Sequence, residues 1–388
     1  MEKEFVSMKI DDKKSEVIKL DLNDDFSETT CGIQDEIVKP NFKKNVDKKF
    51  CYKCKINKSN FLNRSEFICK TCFLKVLNHK FRSNLRAHCK IKHEDYVLVC
   101  ISGGNNSMGM LNWFYSTFND NTSNRKLFFK LKVLYIDDSI LFKTDKNISH
   151  EFIENERNSR KTSVENLCKR FGFPYDILNL ENCLEASFPN YEEKYLDIYN
   201  KISKIGSFNE DFNKVLIRNV IFKYALQNNF NKVVFGNTAQ SLVNNVFSNI
   251  VKGRGFNVRE EIGYLDTHFL NGRITVLKPL RDFLTKEILL FNYLNSVQLI
   301  YSSTDILKEQ MNSRVALPKN GNTNRLVKHF FDNLQDKMFS TITTVIGTAE
   351  KLKPRHEGML ISCGFCLDYI DEVYNELEIG SIDSIKNE

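Results

Sequence analysis

The chain has 388 residues and a formal net charge of +7, with 41% hydrophobic and 27% charged residues. This balance is typical of a folded globular protein of two or three domains, and it excludes a mainly disordered or collagen-like chain. No apolar stretch reaches the ~20 residues that a membrane helix needs. The first residues, Met1 to Phe5, lack the apolar core of a secretory signal. We therefore expect a cytoplasmic protein with reduced thiols and no membrane partner.

The positive charge is concentrated in one block. Residues 1–50 hold 10 lysines and 12 acidic residues, and this polar, aperiodic arm is predicted to be flexible. Residues 51–95 hold 11 Lys or Arg and 3 acidic residues, which gives the block a net charge of +8. A polyanion such as RNA is the expected partner, because each neutralised phosphate releases counterions. A solvated lysine-rich surface is the alternative.

Two Cys-x-x-Cys pairs lie in this basic block. Cys51 and Cys54 are separated from Cys69 and Cys72 by 14 residues, a spacing that lets two tight turns present four thiolates to one ion. Zinc is the expected ion, since four sulfur ligands close its tetrahedral shell and leave no position for catalysis. Its predicted role is to stabilise a small module with little core of its own. Disulfides are the alternative, which a cytoplasmic location disfavours.

A basic amphipathic helix is predicted directly after the second cysteine pair. Apolar residues recur at helical spacing from Phe73 to Leu85, and cations occupy the other faces. His79 is interpreted as a surface or phosphate contact, because four cysteines already complete the metal site. The cations predicted to bind RNA are Lys75, Lys80, Arg82 and Arg86.

A strand, a glycine-rich turn and a helix follow from residue 96. The apolar run Tyr96–Ile101 predicts a buried parallel strand, and a helix is predicted from Met108 to Phe118. In this geometry, backbone N–H groups and a helix N-terminus can hold a phosphate. The pattern is neither a Walker A motif nor a dinucleotide fingerprint, and a plain tight turn is the alternative. The residues predicted to bind a nucleotide are Ser102, Gly103, Gly104 and Ser107.

Strands and helices continue to alternate up to residue 300. Further strands are predicted at 131–136, 175–178, 232–235 and 274–277. Further helices are predicted at 152–171, at 213–227, from a cap at Asn237 to Val251, and from near Asp282 or Thr285. The alternation predicts the α/β class, with a doubly wound parallel sheet and ligands at the carboxyl ends of its strands. The site would gather residues 102–107, Asp137 with Asp138, and residues 236–239.

Four regions are therefore expected along the chain. They are a flexible arm (1–50), a basic four-cysteine module with its helix (51–95), an α/β domain (96–300) and a helical C-terminal region (301–388). The last region contains Cys363 and Cys366, which are half of a structural zinc site. This pair could be completed by a partner chain or by distant ligands, or it could be an inert turn.

In their order and spacing, these motifs resemble the PP-loop (ATP-pyrophosphatase) superfamily and, within it, the cytoplasmic tRNA 2-thiolation protein 2 family. The resemblance covers about residues 51–370. It implies an adenine nucleotide α-hydrolase-like fold that is preceded in the sequence by a small zinc-ribbon module. It is carried by the two cysteine pairs with Phe73, His79-Lys80-Phe81-Arg82, Ser102-Gly-Gly-x-x-Ser107, Gly253-Arg254-Gly255 and Lys278-Pro-Leu-Arg-Asp282-x-x-x-Lys286-Glu287.

The resemblance implies a role in 2-thiolation of the wobble uridine (mcm5s2U34) of tRNAs for Lys, Glu and Gln. In that reaction the catalytic subunit adenylates the uridine O2 with ATP, and sulfur from a thiocarboxylated ubiquitin-related modifier replaces the activated oxygen. The second subunit is the heterodimer partner of the catalytic one. The implied partners are therefore the catalytic subunit and tRNA directly and the modifier indirectly. The implied cofactors are zinc and, as an open question, ATP with Mg²⁺.

Departures from the pattern of active members imply a subunit without catalytic residues. Asn106 stands where active members carry Asp, and residues 236–241 contain no carboxylate where those members carry paired acids, so Mg²⁺ would lack ligands. Cysteines for sulfur transfer are missing as well. The 179 residues between Cys183 and Cys363 contain none, including 212–218 and 301–305, where the catalytic relative has them.

Two alternatives to the non-catalytic subunit remain open. The first is that the chain is itself an active ATP-dependent tRNA-adenylating sulfurtransferase. The second is a zinc-ribbon interaction module whose α/β domain binds no nucleotide. Since the glycines of the phosphate loop persist, ATP could also bind without being turned over.

Overall fold

The computed structural model of this protein describes residues 50–64, 66–119, 129–139, 149–185, 201, 206–267, 269–300, 322–337, 340–352, 361–363 and 367–370. All of them lie in the second of the two units into which the chain divides, residues 48–388. The predictions for the arm 1–49, for residues 301–305 and for Cys366 lie outside the described residues.

The cysteine-containing module opens with a short antiparallel hairpin that leads directly into a helix. Its elements are β1 (Phe61–Asn63), β2 (Glu66–Ile68), α1 (Lys70–Ser83) and a π-helical turn (Asn84–His88). Phe73, Leu77 and Phe81 are buried on one face of α1, which confirms the predicted amphipathic helix. The hairpin was not predicted, because strands of three residues carry too little alternation.

A six-stranded sheet follows the module. Its strands are β3 (Tyr96–Ile101), β4 (Lys130–Asp137), β5 (Tyr175–Asn179), β6 (Lys232–Val234), β7 (Leu265–Asp266) and β8 (Thr275–Leu277). In space the order is β5-β4-β3-β6-β8-β7, and every neighbouring pair is parallel except the antiparallel β7 and β8. The predicted α/β class and the five predicted strands are confirmed. The edge strand β7 was missed, because two residues show no pattern.

Helices pack on both faces of this sheet, and the last two described helices pack against other helices. They are α2 (Asn105–Phe118), α3 (His150–Phe171), α4 (Leu180–Glu185), α5 (Gly206–Gln227), α6 (Ala239–Val251), α7 (Val258–Ile262), α8 (Phe269–Gly272), α9 (Thr285–Leu294), α10 (Thr323–Lys337) and α11 (Thr341–Glu350). A 3₁₀ turn (Gly255–Asn257) precedes α7, and β9 (Ile361–Ser362) pairs with β10 (Tyr369–Ile370). Among the described helices, none combines the length and the hydrophobicity needed to cross a bilayer.

The alternation of β3 shows that the sheet is doubly wound. Successive strand residues point to opposite faces, so Val97 and Val99 join one core while Leu98 and Cys100 join another. The first core contains residues of α1, α2, α3 and α9, and the second contains residues of α5 and α8. The predicted doubly wound architecture is therefore confirmed.

Aromatic packing joins the module to the α/β domain. Phe81 of α1 stacks with Trp113 of α2 at a centroid distance of 5.6 Å, and Trp113 stacks with Phe291 of α9 at 4.0 Å. All three side chains are buried in the same core as β3. The module thus shares a core with the domain, and the boundary at residues 95 and 96 stays a prediction.

The N-cap of α6 differs by one residue from the prediction. Thr238, not Asn237, caps the helix. Its Oγ1 accepts from the Ser241 N–H at 3.3 Å, and Ser241 Oγ accepts from the Thr238 N–H at 2.8 Å. Such a reciprocal pair satisfies two amides that a helix start otherwise leaves open. The predicted end is confirmed, since α6 stops at Val251 and Gly253 adopts φ +80°.

Candidate functional site

Four cysteine sulfurs converge in the module. Cys51 and Cys54 precede β1, Cys69 is the N-cap of α1, and Cys72 lies in its first turn. The four Sγ atoms lie within 4.8 Å of one another, and those of Cys54 and Cys69 are 3.9 Å apart. Around a tetrahedral zinc ion with bonds of ~2.3 Å, ligand sulfurs are separated by about 3.8 Å. The cluster could therefore hold a metal ion, as the spacing predicts.

The cysteines of this cluster differ in how readily they ionise. Backbone amides of Asn57 and Ile56 lower the pKa of Cys54, and the Asn57 N–H donates to its Sγ at 3.5 Å. Burial and the neighbouring sulfurs raise the pKa of Cys72 to about 12. A cation at the centre would favour the thiolate form of each sulfur, so metal binding would release protons.

One buried carboxylate links the module to α9. Glu287 accepts from Arg64 Nε at 2.8 Å, and Lys80 Nζ lies 3.6 Å from its other oxygen. Arg64 and Lys80 also donate to the carbonyl oxygen of Asp282, at 2.9 and 2.7 Å. Burial lowers the pKa of Lys80 despite these partners. Lys80 is thus engaged within the chain, and its predicted contact with RNA has no support from its position.

The other predicted RNA-binding cations reach the surface. Lys75, His79 and Arg82 follow one another at intervals of four and three residues, so they share one stripe of α1. Lys75 and His79 are exposed, and Arg82 is half-buried. Arg86 is exposed in the π-helical turn that continues α1. These cations therefore differ from Lys80, which binds Glu287 and the carbonyl oxygen of Asp282. Their role in RNA binding stays a prediction.

The loop after β3 has the strand–turn–helix geometry predicted for a phosphate loop. Gly104 precedes α2 as its N-cap. Ser107 Oγ accepts from the Ser102 N–H at 3.2 Å, lies 3.2 Å from Ser102 Oγ, and donates to the Gly104 carbonyl at 3.1 Å. The two serine hydroxyls thus close the turn in front of a helix N-terminus, where free N–H groups favour an anion.

Two glycines allow close backbone contacts around this loop. Gly103 adopts φ +82°, and a Cβ there would lie 2.1 Å from the carbonyl oxygen of Ile300, whose N–H donates to the Gly103 carbonyl at 2.9 Å. A Cβ on Gly236 would lie 3.2 Å from the backbone nitrogen of Ser107. The loops after β3 and β6 therefore touch, with no room for a side chain between them.

The two carboxylates at the end of β4 are bound by arginines of α3. Arg157 Nε donates to Asp137 Oδ2 at 2.9 Å, and Ser139 Oγ donates to the same oxygen at 2.8 Å. Arg160 Nη1 lies 3.3 Å from Asp138 Oδ1. Sequence reasoning missed both arginines, although their spacing of three residues on the helix after the Asp pair was a usable signal.

One cavity of about 330 Å³ lies at the carboxyl ends of β3, β4 and β6. The predicted residues that line it are Ser102, Asn106, Ser107, Asp138, Gly236 and Asn237. Gly103, Gly104 and Asp137 are not among its lining residues. Asn106 Oδ1 is buried and has no hydrogen-bond partner among the described residues. The structure thus brings the three predicted segments together around a space of the size typical for small ligands.

A second cavity of about 380 Å³ adjoins the first and was missed by sequence reasoning. Phe235 and Asn237 line both spaces. In the second cavity Asp211 pairs with Lys252 at 2.6 Å and with Arg254 at 2.9 Å. Because these groups come from distant segments, no local spacing indicates that they meet.

Two motifs that carried the family resemblance contribute to the second cavity. Arg254 lies in the turn after α6, and Lys278 follows β8. Lys278 Nζ donates to the carbonyl oxygens of Glu260 and Glu261 at 2.9 and 2.6 Å, and burial lowers its pKa to about 8. The lysine thus binds the last turn of α7, where a cation is favoured.

A family model and several curated relatives match the chain. The model described as cytoplasmic tRNA 2-thiolation protein 2 matches residues 322–384. A relative of that name from Danio rerio is 26% identical over an alignment of 353 residues, and the match covers 78% of this chain and 67% of the relative. The resemblance to the cytoplasmic tRNA 2-thiolation protein 2 family is confirmed. A further relative of the same name, from Oryza sativa subsp. indica, is 27% identical, and the match covers 74% of this chain and 59% of that relative.

A solved structure has a similar fold. It is the U34-tRNA thiolase NcsA from Methanococcus maripaludis with its [4Fe-4S] cluster. The superposition has a TM-score of 0.58 at 16% identity and covers 83% of this chain and 92% of the thiolase. At this identity the likeness concerns the fold alone, and it agrees with the predicted α/β fold and its doubly wound parallel sheet.

Proposed function

We propose that this chain is a non-catalytic, tRNA-binding subunit of a cytoplasmic complex that 2-thiolates the wobble uridine of tRNAs for Lys, Glu and Gln. The name shared by its relatives supports a role in tRNA thiolation and a cytoplasmic location. The catalytic work falls to a thiolase subunit that forms a heterodimer with this chain. That partner takes sulfur from a thiocarboxylated ubiquitin-related modifier.

The observation that carries the non-catalytic assignment is the pairing of the carboxylates beside the phosphate loop. Adenylation of a uridine oxygen needs a hard cation to neutralise charge on ATP as pyrophosphate leaves. Among the described residues, Asp137 and Asp138 are the carboxylates at this edge, and Arg157 and Arg160 already bind them. Asn106 adds only a neutral amide. The cavity can therefore accept an anion at its loop without supplying ligands for Mg²⁺.

The module supports tRNA binding in this proposal. Lys75, Arg82 and Arg86 place positive charge along α1 and the turn after it, in a block that carries +8. Such a stripe contacts phosphates without reading sequence. A zinc ion held by the four cysteines would fix the hairpin and the start of α1, so that the stripe keeps its shape. Lys80 serves the link to α9 instead.

The role in thiolation is tested by depleting the protein and analysing wobble uridines by mass spectrometry. We expect loss of the 2-thio mass with the 5-substituent retained. Unchanged 2-thiolation after depletion would overturn the proposal. For the partner, we expect the chain to co-purify with a catalytic subunit and to retard tRNA in a gel, and failure in both assays would contradict the subunit role.

The assignment as non-catalytic has its own test. The alternative is an active adenylating sulfurtransferase. The feature that favours it is the phosphate loop, in which Ser102 and Ser107 still hydrogen-bond across the turn. Purified chain is mixed with ATP, Mg²⁺ and tRNA, and pyrophosphate release is measured. We expect no release above background. Release that depends on tRNA and disappears in Ser102→Ala would establish the alternative.

A further inference from the structure

A stacked pair of rings lies where the module meets the α/β domain. The rings of His88 and Tyr264 have centroids 4.2 Å apart and an interplanar angle of 8°. His88 is the last residue of the π-helical turn and is exposed, whereas Tyr264, just before β7, is half-buried. Tyr264 thus covers one face of the histidine ring, while His88 as a residue remains exposed.

The tyrosine is held in place by several contacts. Its hydroxyl donates to the carboxylate of Asp282, and the guanidinium carbon of Arg281 lies 4.6 Å from its ring centroid. Its carbonyl oxygen accepts from the Lys278 N–H at 2.8 Å. Burial, together with the hydrogen bond to Asp282, raises the pKa of Tyr264, so the phenol remains a neutral donor. A ring fixed in this way is a rigid support for His88.

The π-helical turn sets the position of the histidine. The Cys89 N–H donates to the Asn84 carbonyl, five residues back, at 2.8 Å. Asn84 Nδ2 in turn donates to the Pro279 carbonyl at 2.9 Å, which ties the wide turn to the domain. Cys89 is buried while His88 is exposed. Such distortions of a helix are frequent at functional sites.

The segment around His88 is positively charged. Residues 84–93 contain three Lys or Arg and no carboxylate, and Arg86, Lys90 and Lys92 are all exposed. The nearby Asp282 accepts from Tyr264 and lies 3.6 Å from Arg281, so it is already engaged. Cations that can hold phosphates beside a ring that can stack on a base are the combination that binds single-stranded nucleic acid.

We propose that His88, backed by Tyr264, is a stacking platform for an unpaired nucleobase of the bound tRNA. The proposal rests on the proposed tRNA binding and adds a defined contact to it. A histidine that only filled space between the module and β7 would be buried, whereas His88 is an exposed residue with Tyr264 stacked on its ring. An unpaired base is the ligand that fits, because its flat face is open for stacking on a ring. The faces of a paired base are covered by its neighbours in the helix.

The test uses the full chain with its metal and compares a tRNA transcript for lysine with a short blunt RNA duplex. Dissociation constants are measured by fluorescence anisotropy at several salt concentrations for wild type, His88→Ala and His88→Phe. His150→Ala is the matched control, since His150 is also exposed but begins α3, outside the basic module. Thermal denaturation of each variant verifies its fold.

We expect His88→Ala to weaken tRNA binding about tenfold without changing the salt dependence, because stacking releases no counterions. His88→Phe should bind tRNA like wild type, and no variant should change binding to the duplex. An equal affinity of His88→Ala and wild type for tRNA, or an equal loss on the duplex, would overturn the platform while leaving tRNA binding intact. If wild type does not bind tRNA, the platform and the proposed tRNA binding both fail.

Discussion

The cysteine cluster and the sheet edge beside the phosphate loop differ in which parts of a functional site are present. In the cluster, four donor atoms from two turns meet within 4.8 Å, so the side chains that would bind an ion are complete. At the phosphate loop, the backbone geometry is complete, but Asp137 and Asp138 are bound to arginines of the same chain. Backbone shape and side-chain chemistry are therefore separable, and a loop that can hold an anion does not by itself provide catalysis.

The largest expected effect concerns the cluster. We expect Cys69→Ser to remove bound zinc and to lower the free energy of unfolding by several kcal/mol. In small zinc peptides the free energy of zinc binding is ~10–16 kcal/mol, and it contributes directly to folding. Metal analysis and urea unfolding measure both quantities. Cys183→Ser is the control, since Cys183 lies outside the cluster and is half-buried. If Cys69→Ser keeps one zinc per chain and full stability, the cluster is not the ion site.

A smaller effect is expected when the backbone of the phosphate loop is changed. Gly103→Ala should destabilise the protein by about 3 kcal/mol, because φ is +82° and the new methyl group would meet a backbone oxygen. Gly104→Ala is the matched control. Its φ is ordinary, and the nearest atom to its Cβ would be Ser102 Oγ at 3.7 Å. Equal stability of the two variants in urea unfolding would show that the loop is not rigid there.

Features that depend on neighbouring residues were the ones predicted from the sequence. The run Tyr96–Ile101 became β3 with the predicted bounds, since a continuous apolar stretch encodes burial on both faces. The cysteine pairs converged, because Cys-x-x-Cys spacing fixes each turn locally. The cap at Asn237 was off by one residue, since Thr238 offers the same kind of acceptor and periodicity does not separate adjacent positions.

Contacts between distant segments could not be predicted in the same way. Helical periodicity told which face of α1 is buried, but it gave no sign that Lys80 would meet Glu287 and the carbonyl of Asp282. Arg64 and Glu287 are separated by 223 residues, and no pattern links them. The second cavity likewise draws its ion pairs from segments brought together by the whole fold.

A carboxylate between the module and the sheet gives a pH-dependent test. Asp95 accepts from the Lys92 N–H at 2.6 Å and from Asn231 at 2.9 Å, and it pairs with Lys232 at 2.8 Å. Burial raises the pKa of Asp95, but these bonds outweigh burial and hold the pKa below its ordinary value. The stabilisation is therefore fully present above the unfolded pKa of about 4 and is lost as the pH falls through the folded pKa.

We accordingly expect Asp95→Asn to cost about 2 kcal/mol at pH 7, in the range of hydrogen bonds to charged groups. The difference between wild type and the variant should shrink as the pH falls below about 4, as measured by urea unfolding across pH. Glu94→Gln is the neighbouring control, since Glu94 is exposed. A difference that stays constant down to acid pH would mean that Asp95 is not held as the anion.

The smallest expected effect is the sharpest test of the contrast between the two regions. Asn106→Asp places a carboxylate at the cavity, where Asn106 Oδ1 is buried without a partner among the described residues. We expect no pyrophosphate release from ATP in the presence of tRNA and Mg²⁺. One added carboxylate is insufficient while Arg157 and Arg160 occupy Asp137 and Asp138.

The double variant Asn106→Asp with Arg160→Gln is the informative comparison, because it also frees the Asp138 carboxylate, which lines the cavity, from its arginine. We expect Mg²⁺ to raise the ATP affinity of the double variant a few-fold and to leave that of Asn106→Asp unchanged in calorimetric titrations, since a hard cation gains oxygen ligands only when both acids are available. If Asn106→Asp alone releases pyrophosphate, then a single side chain separates this cavity from a catalytic one. The pairing of the two aspartates with arginines would then not be the reason that the cavity lacks adenylation activity.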